Sequence, residues 1–331
     1  RARPAARARA RPVPPVSAAR RVLAISGGVG GAKLAFGLAA LHDPAELLIV
    51  ANTGDDFEHL GLPICPDIDT LIYTLAGLAD PLRGWGLAGE TWQCMGALGT
   101  LGGPDWFRLG DRDLATHLQR GALLRAGLSL SEATARLATA LGVRHAIVPM
   151  SDAPVRTLVD TERGTFAFQE YFVRERCEPR VRGVRFDNAA AARPAPALGD
   201  WLEGPRRPLV VICPSNPWLS VDPVLAVPGL RERLAALPVV AVSPIVGGRA
   251  LKGPAAKMMA ELGLPVSALE VARHYRGLAD AFVIDREDEA QGDAIRALGM
   301  RVLVTDTVMS DAGSKRRLAA DILGLLDTFG A

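Results

Sequence analysis

The chain has 331 residues, of which 49% are apolar, 22% charged and only 5% aromatic. That balance excludes intrinsic disorder, which needs low hydrophobicity and high net charge, and the length gives one large α/β domain or two modest ones an ample core. The formal net charge of +2 conceals a split: residues 1–21 hold seven Arg and no acid, leaving 31 basic against 36 acidic residues, a net of −5, in the rest.

The opening segment, residues 1–21, is rich in Pro, Ala and Arg without helical or strand period, and reads as a disordered basic tail. It suits an extension or linker better than an organelle presequence. Since the chain does not begin with Met, a fragment or one part of a fusion is expected. Nothing in the body supports a nucleic-acid partner for the tail. No apolar run reaches the roughly 20 residues of a membrane helix, so no membrane partner is expected. The four cysteines (Cys65, Cys94, Cys177, Cys213) form no CxxC pair, which argues against zinc and a disulfide scaffold and for a cytoplasmic protein with reduced thiols.

A buried strand is predicted at Val22–Ser26, then a glycine loop, a helix over Ala32–Leu41 and a second strand at Leu47–Ala51. Strand, glycine loop, helix, strand is the opening of a Rossmann-like, doubly wound, mostly parallel α/β sheet. Helices are expected near Asp69–Leu78, Asp111–Ala126 and Ser131–Leu141, and a strand at His145–Pro149. From residue 151 to 207 the texture changes to short β-like runs, at Val155–Asp160, Gly164–Phe168 and Arg180–Phe186, read as an inserted lid subdomain. The α/β pattern then resumes at Pro208–Cys213, Val239–Val242, Ala281–Ile284 and Arg301–Val304, with a last helix near Asp311–Phe329. The core is thus expected in two parts, 22–150 and 208–331.

Ligands of open α/β sheets bind outside the carboxyl ends of the strands, so those loops carry the functional argument. The first contains Gly27, Gly28, Gly30, Gly31 and Lys33. Glycines admit close backbone approach, and the next helix offers free N–H groups and a favourable dipole to an anion. The spacing matches neither a Walker loop nor a complete dinucleotide fingerprint. The second runs from Asn52 through Asp55, Asp56, Glu58 and His59 to Asp67 and Asp69, five acids and a histidine in 15 residues. One such Asp would be a helix cap; the cluster beside a glycine loop argues for Mg²⁺, which takes oxygen ligands and bridges phosphates.

Three of the five tryptophans, Trp85, Trp92 and Trp106, fall in loops mixed with charge, a possible platform for a planar ring. Two more strand-end loops offer Ser215 and Asn216, then Ser243, Gly247 and Gly248. Of only four lysines, Lys33, Lys252 and Lys257 lie just beyond such loops, where Lys serves phosphate. No nucleophile motif such as GxSxG is present, so metal electrostatics and positioning are the expected chemistry.

Six motifs in order, SGGVGGAKL, ANTGDDFEHLGLPICPDIDTLIYTLAG, RGWGLAGETW, WFRLGDRDLATHLQR, ICPSNPWLSVDPVLAVPG and VSPIVGGRALKGPAAKMM, resemble the 2-phospho-L-lactate transferase family of coenzyme F420 biosynthesis from about Val22 onward. The resemblance implies transfer of a phospho-lactyl or phospho-enolpyruvyl group from a guanylylated donor to the ribityl hydroxyl of the deazaflavin Fo. GMP is released, Mg²⁺ is required, and the assembly is a homodimer. By motif, it implies Asp55 and Asp69 as catalytic and metal-binding carboxylates, with Asp56 and Asp67 as second choices. It places Asp69, Arg108, Asn52, Thr91 and Trp92 near Fo, and Gly27 to Gly31, Ser215, Asn216, Ser243, Gly247 and Gly248 along the donor. The Arg-rich, Ala-rich composition and GDDFEHLGLPICPD lean toward the enolpyruvyl group. The alternative is a nucleotide-sugar-binding regulator of the related gluconeogenesis-factor family, which shares the glycine loop but not GWG…ETW or LGDRD.

Overall fold

The computed structural model describes residues 21–328; the tail predicted as disordered lies outside them apart from Arg21, as does Phe329 of the last expected helix. Seven strands form the central sheet: β1 (Val22–Ser26), β2 (Leu47–Ala51), β3 (Ala146–Pro149), β4 (Leu209–Ile212), β5 (Val239–Val242), β6 (Ala281–Asp285) and β7 (Arg301–Thr305). Their order is β7-β6-β5-β4-β1-β2-β3, and every pairing is parallel. A parallel sheet covered on both faces demands strands that are apolar throughout, and VLAIS, LLIVA, LVVI and VVAV are buried along their whole length. Successive side chains point to opposite faces: Leu23 and Ile25 enter one core, Val22 and Ala24 the other. The chain reverses its direction of winding between β1 and β4. That is the switch point, the place where open α/β sheets bind their ligands.

Helix α1 spans Gly28–Ala39 and so begins inside the glycine loop, earlier than the apolar pattern predicted. The glycines permit this by bringing backbone against backbone. A Cβ on Gly30 would lie 2.5 Å from the Pro214 carbonyl oxygen, and one on Gly31 2.5 Å from Ser26 Oγ and 2.7 Å from Ser215 Oγ. Helix α2 (Pro66–Leu75) also starts early, with Pro66 in its first turn, where a missing N–H costs nothing. Helix α3 (Gln93–Thr100) was not anticipated: QCMGALGT has two glycines and buries only Met95, so it carries no amphipathic period. Helices α4 (Asp111–Arg125) and α5 (Leu130–Ala140) lie within a residue or so of their predicted ends.

Within residues 151–207, Arg156–Thr161 is the central strand of a separate three-stranded antiparallel sheet, flanked by Gly164–Ala167 and Val181–Asp187. Its small core joins Val159, Tyr171 and Val181 to Leu219 and Met258 of the main body. Arg21 already belongs to the fold: its carbonyl accepts from Leu209 N at 2.8 Å, and its guanidinium lies 4.4 Å from the Trp201 ring centre. Among the described residues no helix is long and apolar enough to cross a membrane.

The last helix, Ala312–Asp327, packs against α1 where Gly37 leaves room: a Cβ there would sit 2.2 Å from the Lys315 carbonyl oxygen. Gly37→Ala is expected to force the helices apart and cost about 1–3 kcal/mol, read as a lower urea midpoint with an unchanged m-value.

Candidate active site

At the carboxyl end of β2 the chain turns through Asn52, Thr53, Gly54, Asp55 and Asp56, all buried. Asn52 is the hub. Its Nδ2 donates to Asp55 Oδ1 at 3.1 Å and Asp67 Oδ2 at 2.9 Å, and its Oδ1 accepts from Gly54 N at 2.8 Å. Asp67, in the first turn of α2, also accepts from Gly28 N at 2.6 Å. Gln169, from the inserted segment, donates to Asp55 Oδ2 at 3.1 Å. Two carboxylates thus converge at the switch point, met by amides and, among the described residues, by no cationic side chain in hydrogen-bond contact.

The structure pairs Asp55 with Asp67, while Asp69, the expected partner of Asp55, faces elsewhere. Residues two apart on a helix point to nearly opposite sides. Asp69 accordingly reaches α4, where its Oδ1 forms an ion pair with the fully buried Arg120 and its Oδ2 lies 3.7 Å from His117 Nδ1. His117 Nε2 stands 3.4 Å from Asp113 Oδ1, which also accepts from Tyr73 OH at 2.6 Å. Asp69, Arg120, His117, Asp113 and Tyr73 form one buried network locking α2 to α4.

These surroundings divide the acids by their protonation. Burial, then Asp67, then Asp56, holds the Asp55 carboxyl well above the ordinary carboxylate range. Burial likewise pushes Asp67 up to about 6, against the Asn52 and Gly28 hydrogen bonds, and Asp56 up to about 7, against the positive charge of Arg156. Among the described residues Asp56 Oδ1 has no hydrogen-bond partner, while Cys65 hydrogen-bonds to the same carboxyl. Carboxylates that cost energy when charged, with a cation absent from their donor set, suit an oxygen-ligated divalent ion. Asp55 and Asp67 would hold it. Among the described residues no group of three or more His, Cys, Asp or Glu converges, so remaining ligands would be water or substrate oxygens.

The aromatic residues separate into two groups. Trp85 and Trp92 meet edge to face at 6.4 Å, with Arg83 and Arg108 4.9 Å and 4.5 Å from the Trp92 ring centre. Trp106 packs instead with Phe57, Phe107 and His59, whose buried Nε2 is without a partner. The charges of ETW and LGDRD are reciprocal helix caps. Asp111 accepts from Thr91 Oγ1 and from Gln93 N and Cys94 N of α3; Glu90 accepts from Arg112 N and Asp113 N of α4.

Among the expected donor residues, Ser215 Oγ accepts from Gly27 N at 3.0 Å and donates to the Gly27 carbonyl at 2.8 Å, tying the loops after β1 and β4 together. A Cβ on Gly27 would lie 2.8 Å from Asp67 Oδ2, whereas at Gly28 nothing stands within 4 Å. Asn216 caps the next turn through Oδ1 and leaves its buried Nδ2 unpartnered. Ser243 closes a local turn with Ile245. Gly247 and Gly248, at φ +55° and +71°, make the two-residue turn of a hairpin between Ile245–Val246 and Arg249–Ala250, a turn that needs positive φ at both positions. Gly247 N donates to Asp288 Oδ2 at 3.0 Å, so this pair is occupied by turn geometry and a carboxylate. Gln169 carried no local sequence signal, and Arg120 and His117 entered the sequence reading only inside the motif WFRLGDRDLATHLQR, with no role assigned. They reach their partners across 114, 51 and 48 residues, the last to Asp69.

A doubly wound parallel sheet with buried carboxylates beside a glycine loop at its switch point defines a Rossmann-like α/β protein. Residues 22–317 match the family model described as 2-phospho-L-lactate transferase CofD. The chain is 39% identical to a 2-phospho-L-lactate transferase of Methanosarcina acetivorans, over 93% of this chain and 99% of that protein. It is also 39% identical to a phosphoenolpyruvate transferase of Kitasatospora aureofaciens, over 93% and 98%. A solved Bacillus halodurans protein described as a member of the UPF0052 family shares the fold, with a TM-score of 0.57 at 16% identity over 92% of this chain and 98% of that one. The chain belongs to the CofD family of 2-phospho-L-lactate transferases.

Two stability outcomes follow from the charges. Arg120→Met strands the Asp69 carboxylate in the interior and is expected to cost about 3–5 kcal/mol, measured by urea unfolding at pH 7. The raised acids act in the other direction. Their folded values lie above the unfolded ones, so the stability they contribute is complete at low pH and disappears as pH rises through the folded values. With divalent ions chelated, the wild-type melting temperature is expected to fall between about pH 4, the ordinary carboxylate range, and about pH 7, the folded value of Asp56. Asp55→Asn is expected to flatten that fall and to be the more stable protein at pH 8.

Proposed function

We propose that this protein transfers a phosphoenolpyruvyl group, or its 2-phospho-L-lactyl counterpart, from a guanylylated donor to the terminal ribityl hydroxyl of Fo, releasing GMP in coenzyme F420 biosynthesis. It acts as a Mg²⁺-dependent homodimer. The observation that carries this reading, beyond family membership, is the buried pair Asp55 and Asp67 facing the start of α1 across the switch point.

In the reaction, the hydroxyl oxygen of Fo bonds to the phosphorus carrying the three-carbon group. The bond from that phosphorus to the GMP phosphate oxygen breaks, and the hydroxyl proton leaves to the carboxylate cluster, where Asp56 titrates near neutral pH. Asp55 and Asp67 would hold Mg²⁺, which supplies positive charge to the diphosphate. Asn52 and Gln169 orient the two carboxylates before substrate arrives. Asp69, held by Arg120, keeps α2 and α4 in register beneath them. The exposed Trp85 and the Arg-flanked Trp92 offer a flat, cationic surface suited to the deazaflavin ring.

Relatives bearing either name are 39% identical to the chain, so identity does not separate the two donors. The Arg-rich composition favours the enolpyruvyl form. Incubating the protein with Fo, Mg²⁺ and each guanylylated donor, then weighing the product, decides it. Phosphoenolpyruvyl-Fo with stoichiometric GMP is expected; no adduct from either donor would overturn the transferase reading. Asp55→Asn should lower turnover by about 10²-fold or more while remaining folded, and near-normal turnover would remove Asp55 from the site.

A further inference from the structure

The glycine loop is the obvious place for a diphosphate, yet two of its N–H groups are already taken by the protein. Gly27 N donates to Ser215 Oγ at 3.0 Å and Gly28 N to Asp67 Oδ1 at 2.6 Å. A carboxylate at the start of α1 uses the helix's own anion preference. Positive charge for the donor from the protein's own side chains has to come from elsewhere.

It is present on the outer face of α1. Lys33, in the second turn, donates to the Met309 carbonyl at 2.8 Å. Lys252, from the loop after the Gly247–Gly248 hairpin, donates to the Arg83 carbonyl at 3.1 Å. Its ammonium lies over Gly84, at φ +77°, where a Cβ would sit 2.3 Å from Nζ and 3.4 Å from Val29 Cγ1 of α1. Lys315, in the last helix, sits 4.9 Å from the Phe36 ring centre, one helical turn beyond Lys33. Three of the chain's four lysines thus gather around the first turns of α1, from three separate segments. Among the described residues none of them has a carboxylate within ion-pair distance; Asp311 acts on Lys315 from farther off. Burial first, then the charges of Lys252 and Lys315, makes the Lys33 ammonium easier to deprotonate than usual. Like charges collected without counter-ions cost energy that a bound anion returns.

Lys257, by contrast, is committed. It ion-pairs with Glu261 and reaches Tyr171 OH and the Pro179 carbonyl at 3.4 Å each, fastening the inserted sheet to the body.

We propose that Lys33 and Lys252, in the field of Lys315, form a phosphate subsite that grips the diphosphate of the nucleotide-linked donor. It rests on the transferase reading for its donor, but the site itself is defined by anion chemistry. Compact ammonium groups suit phosphate as point charges. Their hydrogen bonds to backbone carbonyls hold them in place without neutralising them.

The test is calorimetric titration of inorganic pyrophosphate and of GDP, separately, into wild type, Lys252→Met and Lys33→Met, with sodium pyruvate as the carboxylate control. Lys252 is on an exposed loop, so its variant keeps the fold even where Lys33→Met does not. At least a tenfold loss of affinity for both phosphate probes in Lys252→Met is expected, with recovery in Lys252→Arg and weakening of the wild-type affinity by salt. Unchanged pyrophosphate affinity in Lys252→Met, or equal weakening of pyruvate binding, would overturn the subsite. Because these readouts need no turnover, absent transferase activity with intact lysine-dependent pyrophosphate binding would reject the function and keep the subsite. In an active enzyme, Lys252→Met should raise KM for the donor and leave KM for Fo unchanged.

Discussion

One side-chain amide holds the site together. Asn52 has two N–H hydrogens, and its nitrogen serves a buried carboxylate on either side, Asp55 and Asp67, while its oxygen fixes Gly54. Two buried acids in one place are costly unless each is hydrogen-bonded or exchanged for its neutral form. The surroundings answer that demand one contact at a time: Gly28 N on Asp67, Gln169 on Asp55, and no Cβ on Gly27 to press against Asp67. NTGDD and PDID are therefore conditional on one another, although eleven residues separate Asp55 from Asp67. The arrangement trades stability for a preset site. The same Asp55 that lowers stability at neutral pH is the residue on which the proposed chemistry depends.

The strands were legible because a parallel sheet buried on both faces leaves no choice but continuous apolar runs. From that followed the topology, and from the topology the loops that matter. Helix starts were less legible, since a glycine loop reads as a break even when, as at Gly28–Gly31, it is the first turn of the helix. Glycine is ambiguous in a second way. It admits a ligand or another part of the protein, and here Gly30 and Gly31 face Pro214 and Ser215 while only Gly28 is clear. The carboxylate cluster was found, but its pairing turned on helix geometry: one residue separates Asp67 from Asp69 in sequence, and about 200° separates them on α2. What local sequence cannot encode are partners brought by tertiary structure. Arg120 and Gln169 sit on helical segments, and nothing in their neighbouring residues identifies Asp69 or Asp55 as a partner.

Charge on the molecule is sorted about α1. Its inner side, toward β2 and α2, carries the acids; its outer side, toward the last helix and the Lys252 loop, carries the lysines. The proposed donor, with a diphosphate at its centre, matches such a division, since the acids would bind it through a cation and the lysines directly. Arginine's planar fork suits carboxylates, as Arg120 shows with Asp69, and arginine over tryptophan suits a ring. A point charge over Gly84, in a gap a Cβ would fill, is a place for lysine. Lys257 shows the converse: a lysine beyond a strand-end loop, in the position that sequence reading favours, becomes structural once Glu261 lies one helical turn away. Position after a strand nominates a phosphate ligand; freedom from a counter-ion among the described residues is what distinguishes Lys33 and Lys252 from Lys257.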